Sequence, residues 1–194
     1  MNSSKLIPFT DAAQRLQQGQ VGVIPTDTIY GLAASAYDEV AVTRLYAVKK
    51  REHKPGTVIA ASIDQLISLG IEPHYLNYVA SLWPASLSVV IPTSERPYLH
   101  QGVGSLAMRV VADPNLRTIL EQTGPLLTSS ANQPGEPEST IIERAWQYFG
   151  DSVDFYVNGG DLSGRKASTI IRLLPDNSIE LLRQGSVDIT SLIK

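Results

Sequence analysis

The chain has 194 residues, of which 43% are hydrophobic, with a formal net charge of −3 and a pI near 5.6. A chain of this length buries about two-thirds to three-quarters of its unfolded surface, so one domain over residues 1–194 is expected. The acidic balance argues against a purely electrostatic nucleic-acid binder, and the lack of cysteine excludes disulfide frameworks, thiolate zinc sites and cysteine nucleophiles. No two of His53, His74 and His100 share metal-ligand spacing on one helix face, so no protein-borne metal site is expected. No apolar run approaches the roughly 20 residues of a membrane span, and the opening MNSSKLIPFTDAAQ holds no apolar signal core. A cytoplasmic protein with no membrane partner is the expectation.

Strand-like apolar runs alternate with amphipathic stretches along the chain. Thr10 or Asp11 reads as an N-cap, Ala12, Ala13 and Leu16 as one helical face, and Gly19 as the stop. Residues 21–24 read as a strand closed by Pro25. A helix beginning near Asp38 carries Val42, Leu45 and Tyr46 at helical spacing and fades in Lys49-Lys50-Arg51. Residues 57–61 read as a buried strand, followed by a capping box of Ser62 and Gln65. Residues 73–82 are predicted helical and 87–91 extended, while the polar stretch 92–104 is expected to be mobile. After a strand at 106–111, Asp113-Pro114 opens a helix that ends at Gly124. A strand at 126–128, a helix at 140–149 stopped by Gly150, and strands at 153–157, 169–174 and 179–182 complete the pattern. It implies an α/β (α+β type) single domain with a twisted sheet flanked by helices.

Four segments put polar or cationic groups at strand ends, where ligand sites of open α/β sheets gather. The first, Pro25-Thr26-Asp27-Thr28-Ile29-Tyr30-Gly31-Leu32, offers two hydroxyls, a carboxylate and a phenol, although a polar capping turn would use the same residues. The second is basic: from Arg44 to Lys54 there are five Lys/Arg against one acid, Glu52. Lysine gives a compact charge and arginine a planar fork, a pair suited to polyphosphate; cations closing a helix C-terminus are the alternative. If the chain is extended there, Lys49 and Arg51 point the same way. The third, Thr128-Ser129-Ser130-Ala131-Asn132, suits phosphate or ribose oxygens, or an ordinary Asx or ST turn. The fourth pairs Ser168-Thr169 with Arg183-Gln184-Gly185, where a lone arginine is usually a solvated surface residue.

In order and spacing these segments, with Leu106-Ala107-Met108-Arg109, resemble the YrdC-like threonylcarbamoyl-AMP synthases over residues 21–185. The resemblance implies a short, single-domain form with a YrdC/RibB-like mixed sheet. It implies the joining of L-threonine, bicarbonate or CO2 and ATP into threonylcarbamoyl-AMP and pyrophosphate, for a downstream tRNA threonylcarbamoyl transferase complex. By the same resemblance Lys49 and Arg51 stabilise the developing charge. Lys49, Arg51, Lys54, Ser130, Asn132 and Arg183 hold ATP, whose phosphates Mg2+ bridges. Thr28, Tyr30, Arg109 and Ser168 take threonine, with Arg109 forking onto its carboxylate and Tyr30 closing over it. Two positions depart from the family pattern: Glu52 and Gln184 stand where proline is common. The alternative on the same fold is an RNA-binding or ribosome-maturation protein contacting tRNA or double-stranded RNA. A catalytically silent paralogue would lack the K-x-R or S-x-N residues, and neither a P-loop nor a G-x-G-x-x-G fingerprint is present.

Overall fold

The computed structural model describes residues 3–174 and 176–190. The first half runs β1 (Leu6–Ile7), α1 (Ala12–Gln17), β2 (Gly22–Pro25), β3 (Tyr30–Ser35), α2 (Glu39–Lys49), β4 (Thr57–Ala60), α3 (Ile63–Ser68) and α4 (Pro73–Val79). The second runs β5 (Leu87–Pro92), α5 (Pro97–His100), β6 (Ser105–Val110), α6 (Pro114–Thr123), β7 (Leu126–Ser130), α7 (Ile142–Phe149), β8 (Phe155–Val157), β9 (Thr169–Leu173) and β10 (Ile179–Arg183).

Side-chain caps set three of the helix starts. Asp38 accepts the Ala41 amide at 3.0 Å, Ser62 the Gln65 amide at 3.3 Å and Asp113 the Leu116 amide at 2.9 Å. The first helix differs from expectation: a 3-10 turn at Phe9–Asp11 leads into α1, and Asp11, already in helical conformation, makes no cap bond. The stretch 92–104 also differs. It contains α5, which buries Leu99 and His100, and the His100 Nδ1 accepts the Gly104 amide at 3.1 Å. The largest departure is β3, whose sequence YGLAAS is too rich in small residues to announce a strand. It forms because it pairs antiparallel with β2 on one side and β7 on the other.

The ten strands among the described residues join one mixed sheet in the order β1-β8-β2-β3-β7-β4-β6-β5-β9-β10. Helices α2, α3, α4, α5 and α7 send Leu45, Leu66, Leu76, Leu99 and Phe149 into the larger core on one face. The other face is covered by α1 and α6, whose Leu16, Ile119 and Leu120 meet Ile24, Ala33, Ile59 and Phe155. Strand alternation explains the division, since Phe155 and Val157 join one core and Tyr156 the other. This second layer ends near β4. Beyond it the same face of the sheet is open, and the cavity described next occupies it. Among the described residues no helix is long and apolar enough to cross a membrane.

Candidate active site

A cavity of about 300 Å³ lies on the open face of the sheet. Its floor is a row of paired strand residues, Thr128 with Thr57, Thr57 with Ala107, and Ala107 with Val90, whose side chains share a face by register. Three guanidinium groups stand around this floor, those of Arg51, Arg109 and Arg183.

Each arginine is fixed along one edge. Arg51 donates from Nε to the Lys54 carbonyl and from Nη2 to the Pro55 carbonyl at 3.1 Å. Arg183 donates from Nε and Nη2 to the Ser168 carbonyl at 3.2 and 2.9 Å. Arg109 is clamped by Asp27, with Nη2 to Oδ1 at 2.6 Å and Nε to Oδ2 at 3.2 Å, and both side chains are about 5% exposed or less. Ser86 Oγ donates a further bond to Asp27 Oδ2 at 3.0 Å. A buried carboxylate so supplied compensates the charge that Arg109 carries into the sheet. Burial lowers the pKa of Arg51 and Arg183; Tyr46 and Glu138 respectively offset part of this, and a neighbouring arginine adds to it in each case. Both remain guanidinium ions at physiological pH.

Lys49 ends α2, and Lys50 then takes the left-handed region at φ 52°. The chain is therefore not extended at the K-x-R segment, and Lys49 and Arg51 do not point the same way. Lys49 is 3% exposed, and its ammonium donates to the Ser130 carbonyl at 2.6 Å, to Asn132 Oδ1 at 2.7 Å and to the Asn132 carbonyl. Its three protons brace the 130–132 turn. Burial, with Arg51 nearby and partly offset by Glu138, lowers its pKa to about 8. Ser130 Oγ and Asn132 Oδ1 are also joined, at 2.7 Å, so this turn is rigid from within.

At the other end of the cavity two hydroxyl pairs have defined polarity. Thr26 Oγ1 gives its proton to the Ile29 carbonyl at 2.6 Å, so the 2.9 Å contact between Thr26 and Thr28 uses the Thr28 proton. Thr28 therefore presents lone pairs to the cavity. Ser88 Oγ donates to Ser168 Oγ at 3.1 Å. Tyr30 is fully buried; its hydroxyl donates to the Gly160 carbonyl at 2.8 Å and accepts the Gly159 amide at 2.8 Å. Burial raises its pKa, and a ring held at both sides of its hydroxyl is a wall rather than a closing flap.

Of the residues singled out from sequence, Thr28, Tyr30, Arg51, Arg109, Ser130, Ser168 and Arg183 come together on the cavity wall. Lys49 and Asn132 lie behind Ser130, while the Lys54 side chain is outside the wall and its amide donates to Gln101. The Arg109 fork is taken by Asp27 rather than left for a carboxylate, and its Nη1 lies 3.4 Å from the buried Ser88 Oγ. Asp27, Ser88 and Glu138 had no assigned role. Asp27 lies inside the first motif, and Ser88 is a single hydroxyl in an apolar strand, signals that existed; Glu138, on the wall in a proline-rich loop, had none. Among the described residues no three metal-ligating side chains gather to hold an ion.

The family model for Sua5/YciO/YrdC, described as telomere recombination, matches residues 14–185. The chain belongs to the Sua5/YciO/YrdC family. A threonylcarbamoyl-AMP synthase of Pseudomonas aeruginosa (strain UCBPP-PA14) is 37% identical over 166 residues, 83% of this chain and 89% of its own. One of Coxiella burnetii (strain RSA 493) is 35% identical over 158 residues, 78% and 84% of the two chains. The P. abyssi Sua5 complexed with L-threonine superposes with a TM-score of 0.83 at 28% identity, covering 94% of this chain. This chain spans 55% of that Sua5's length. E. coli YciO superposes at 0.80 with 23% identity, covering 95% and 92%, a likeness of fold. A mixed sheet flanked by helices is thus the common architecture of this family and this chain.

Proposed function

We propose that this chain is a threonylcarbamoyl-AMP synthase, an adenylyl-transferring enzyme that joins L-threonine, bicarbonate or CO2 and ATP. The observation that carries the reading is the cavity itself: three edge-fixed arginines and a braced serine-asparagine turn facing a row of small side chains. The names of the curated relatives and the threonine complex of a Sua5 support it.

Threonine's amine captures CO2, or bicarbonate with loss of water, to give a carbamate. A carbamate oxygen then attacks the α-phosphorus of ATP, the bond to the β-phosphate oxygen breaks, and pyrophosphate leaves. The nucleophile belongs to the substrate, so no serine or lysine need form a covalent intermediate. What the protein must supply is orientation and fixed positive charge where negative charge gathers. Arg51 and Arg183 meet that demand directly, because one edge of each is held and the other is turned to the cavity. Lys49 acts from behind, through the turn carrying Ser130 and Asn132, and Lys54 takes no part in the wall. Magnesium would enter as part of the ATP substrate and offset phosphate charge, since among the described residues no three metal-ligating side chains gather to hold it separately. Thr28, Arg109 and Ser168 make the threonine end, where Thr28 offers acceptors for the ammonium or hydroxyl and the other two offer donors for the carboxylate. Carbamate is short-lived in water, so the reaction would need bulk water kept from the cavity while the three substrates are bound. The product would pass to a transferase that modifies tRNA, in the cytoplasm.

Pyrophosphate release by the purified protein, measured with and without L-threonine and bicarbonate, tests the reading. Release that needs both, with a threonylcarbamoyl-AMP mass in the product, is the expected result. No release, together with salt-sensitive binding of structured RNA, would replace it with the RNA-binding alternative.

A further inference from the structure

Behind the threonine end of the cavity, four side chains form a continuous polar chain: Arg109, Ser88, Ser168 and Arg183. Arg109 Nη1 lies 3.4 Å from Ser88 Oγ, Ser88 Oγ donates to Ser168 Oγ at 3.1 Å, and Arg183 Nη2 lies 3.3 Å from Ser168 Oγ. Ser88 is fully buried, and Arg109 and Ser168 are 4% and 5% exposed. Bulk water is kept from the Arg109–Ser88–Ser168 part of the chain, while Arg183 at its outer end is exposed.

A guanidinium has donors and no acceptor, and a hydroxyl has one proton and two lone pairs. Arginines at both ends can only donate, so each serine accepts one bond from its arginine, and the direction between the two serines depends on which proton has another outlet. Ser88 is fully buried and its proton has no other acceptor among the described residues, so it goes to Ser168, which faces the cavity with its own. Ser168 then accepts twice, from Ser88 and from Arg183, and both of its lone pairs are spent. Its own proton finds no other partner among the described residues, and Ser168 lines the cavity. The wall at Ser168 is thus a hydrogen-bond donor with no choice in the matter. Thr28, whose proton goes to Thr26, is the opposite: an acceptor.

We propose that Ser88 is a positioning residue that locks the Ser168 hydroxyl as a donor toward the carboxylate of the bound amino acid. Ser88 touches no substrate. It acts by keeping one lone pair of Ser168 occupied, so that the hydroxyl cannot turn its proton inward and show the carboxylate a repelling oxygen. The inference rests on the threonylcarbamoyl-AMP synthase reading for the identity of that carboxylate.

The test is the double-mutant cycle of Ser88→Ala and Ser168→Ala, with Ser88→Thr as the conservative variant. Each is compared with the wild-type protein by calorimetric binding of L-threonine and by steady-state pyrophosphate release. Ser88→Ala is expected to weaken threonine binding about tenfold, the scale of one hydrogen bond to a charged group. KM for ATP should stay within about twofold, since the edge of Arg183 held by the Ser168 carbonyl is untouched. Ser88→Thr, which keeps the hydroxyl, should restore threonine binding. In the double variant the Ser88 change should add nothing to the loss caused by Ser168→Ala, because the two act as one unit. Unchanged threonine affinity in Ser88→Ala, or losses that add in the double variant, would overturn the proposal and leave the synthase reading standing. Wild-type protein that neither binds threonine nor needs it for turnover would instead remove the synthase reading, and this proposal with it.

Discussion

Lys49 shows how one side chain can serve a site it does not line. Its ammonium needs all three protons to hold the Ser130 carbonyl, the Asn132 carbonyl and Asn132 Oδ1. A neutral amine has two, so deprotonation releases one of those acceptors and loosens the turn. Burial, aided by Arg51 against Glu138, brings that titration down to about 8. The sign for binding follows: the brace is intact below pH 8 and lost above it. KM for ATP should therefore rise about tenfold between pH 7 and pH 9, as the charged fraction of the free enzyme falls from about nine-tenths to about one-tenth. Lys49→Met should begin at the high value and show no such step. A wild-type profile that stays flat through pH 9 would show that the ammonium is not what holds the turn. For stability the sign is opposite. Between pH 8 and the ordinary lysine range the unfolded chain binds a proton that the native chain does not, so this group alone makes folding more favourable as pH rises.

At the level of elements, the segment 183–187 is laid against the start of β9. Thr169 Oγ1 accepts the Gly185 and Val187 amides at 3.0 Å each, and donates to the Val187 carbonyl at 2.7 Å. Gly185 permits the approach: a Cβ there would stand 2.3 Å from the Ala167 carbonyl oxygen and 2.5 Å from the Thr169 nitrogen. Both contacts are backbone, so a methyl group cannot be accommodated by turning a side chain. Gly185→Ala should therefore cost about 1–3 kcal/mol in denaturant unfolding, the usual range for overpacking, and should also lower turnover by shifting Arg183 off the Ser168 carbonyl. Wild-type stability with wild-type turnover would mean that the tail yields without consequence. The RQG segment was visible in the sequence, but this reason for its glycine was not. Elsewhere the same divide holds. Caps such as Asp38 and Asp113 were legible because their partners lie three residues away. The clamp of Asp27 on Arg109 spans 82 residues and the Ser88–Ser168 bond spans 80, and no local pattern records a contact at that range. Strand β3 was hidden for a related reason, since pairing partners rather than its own small residues make it extended.

Across the whole molecule the two faces of the sheet are treated differently. One is covered by five helices; the other is covered by α1 and α6 over only part of its width, and the uncovered part holds the cavity. The cavity-lining side chains come from several parts of the sheet, Ser130 at the end of β7, Arg109 in β6 and Arg183 at the end of β10. Strand β10 is the least protected of these, an edge strand paired only with β9 and exposed from Glu180 to Arg183. Edge elements with few buried contacts open more often than the core, and a ligand that binds only the closed form suppresses that opening. A non-hydrolysable ATP analogue should therefore slow amide hydrogen exchange about tenfold or more in β9, β10 and residues 126–132. The amides of α1 and α6 on the covered part of the same face should be unaffected. Mass-spectrometric exchange with and without the analogue reads this directly. Protection spread evenly over the sheet would mean that the ligand stabilises the fold as one body. None at β10 would mean that Arg183 does not reach the nucleotide, and the triphosphate end of the cavity would then have to be assigned to Arg51 and the 130–132 turn.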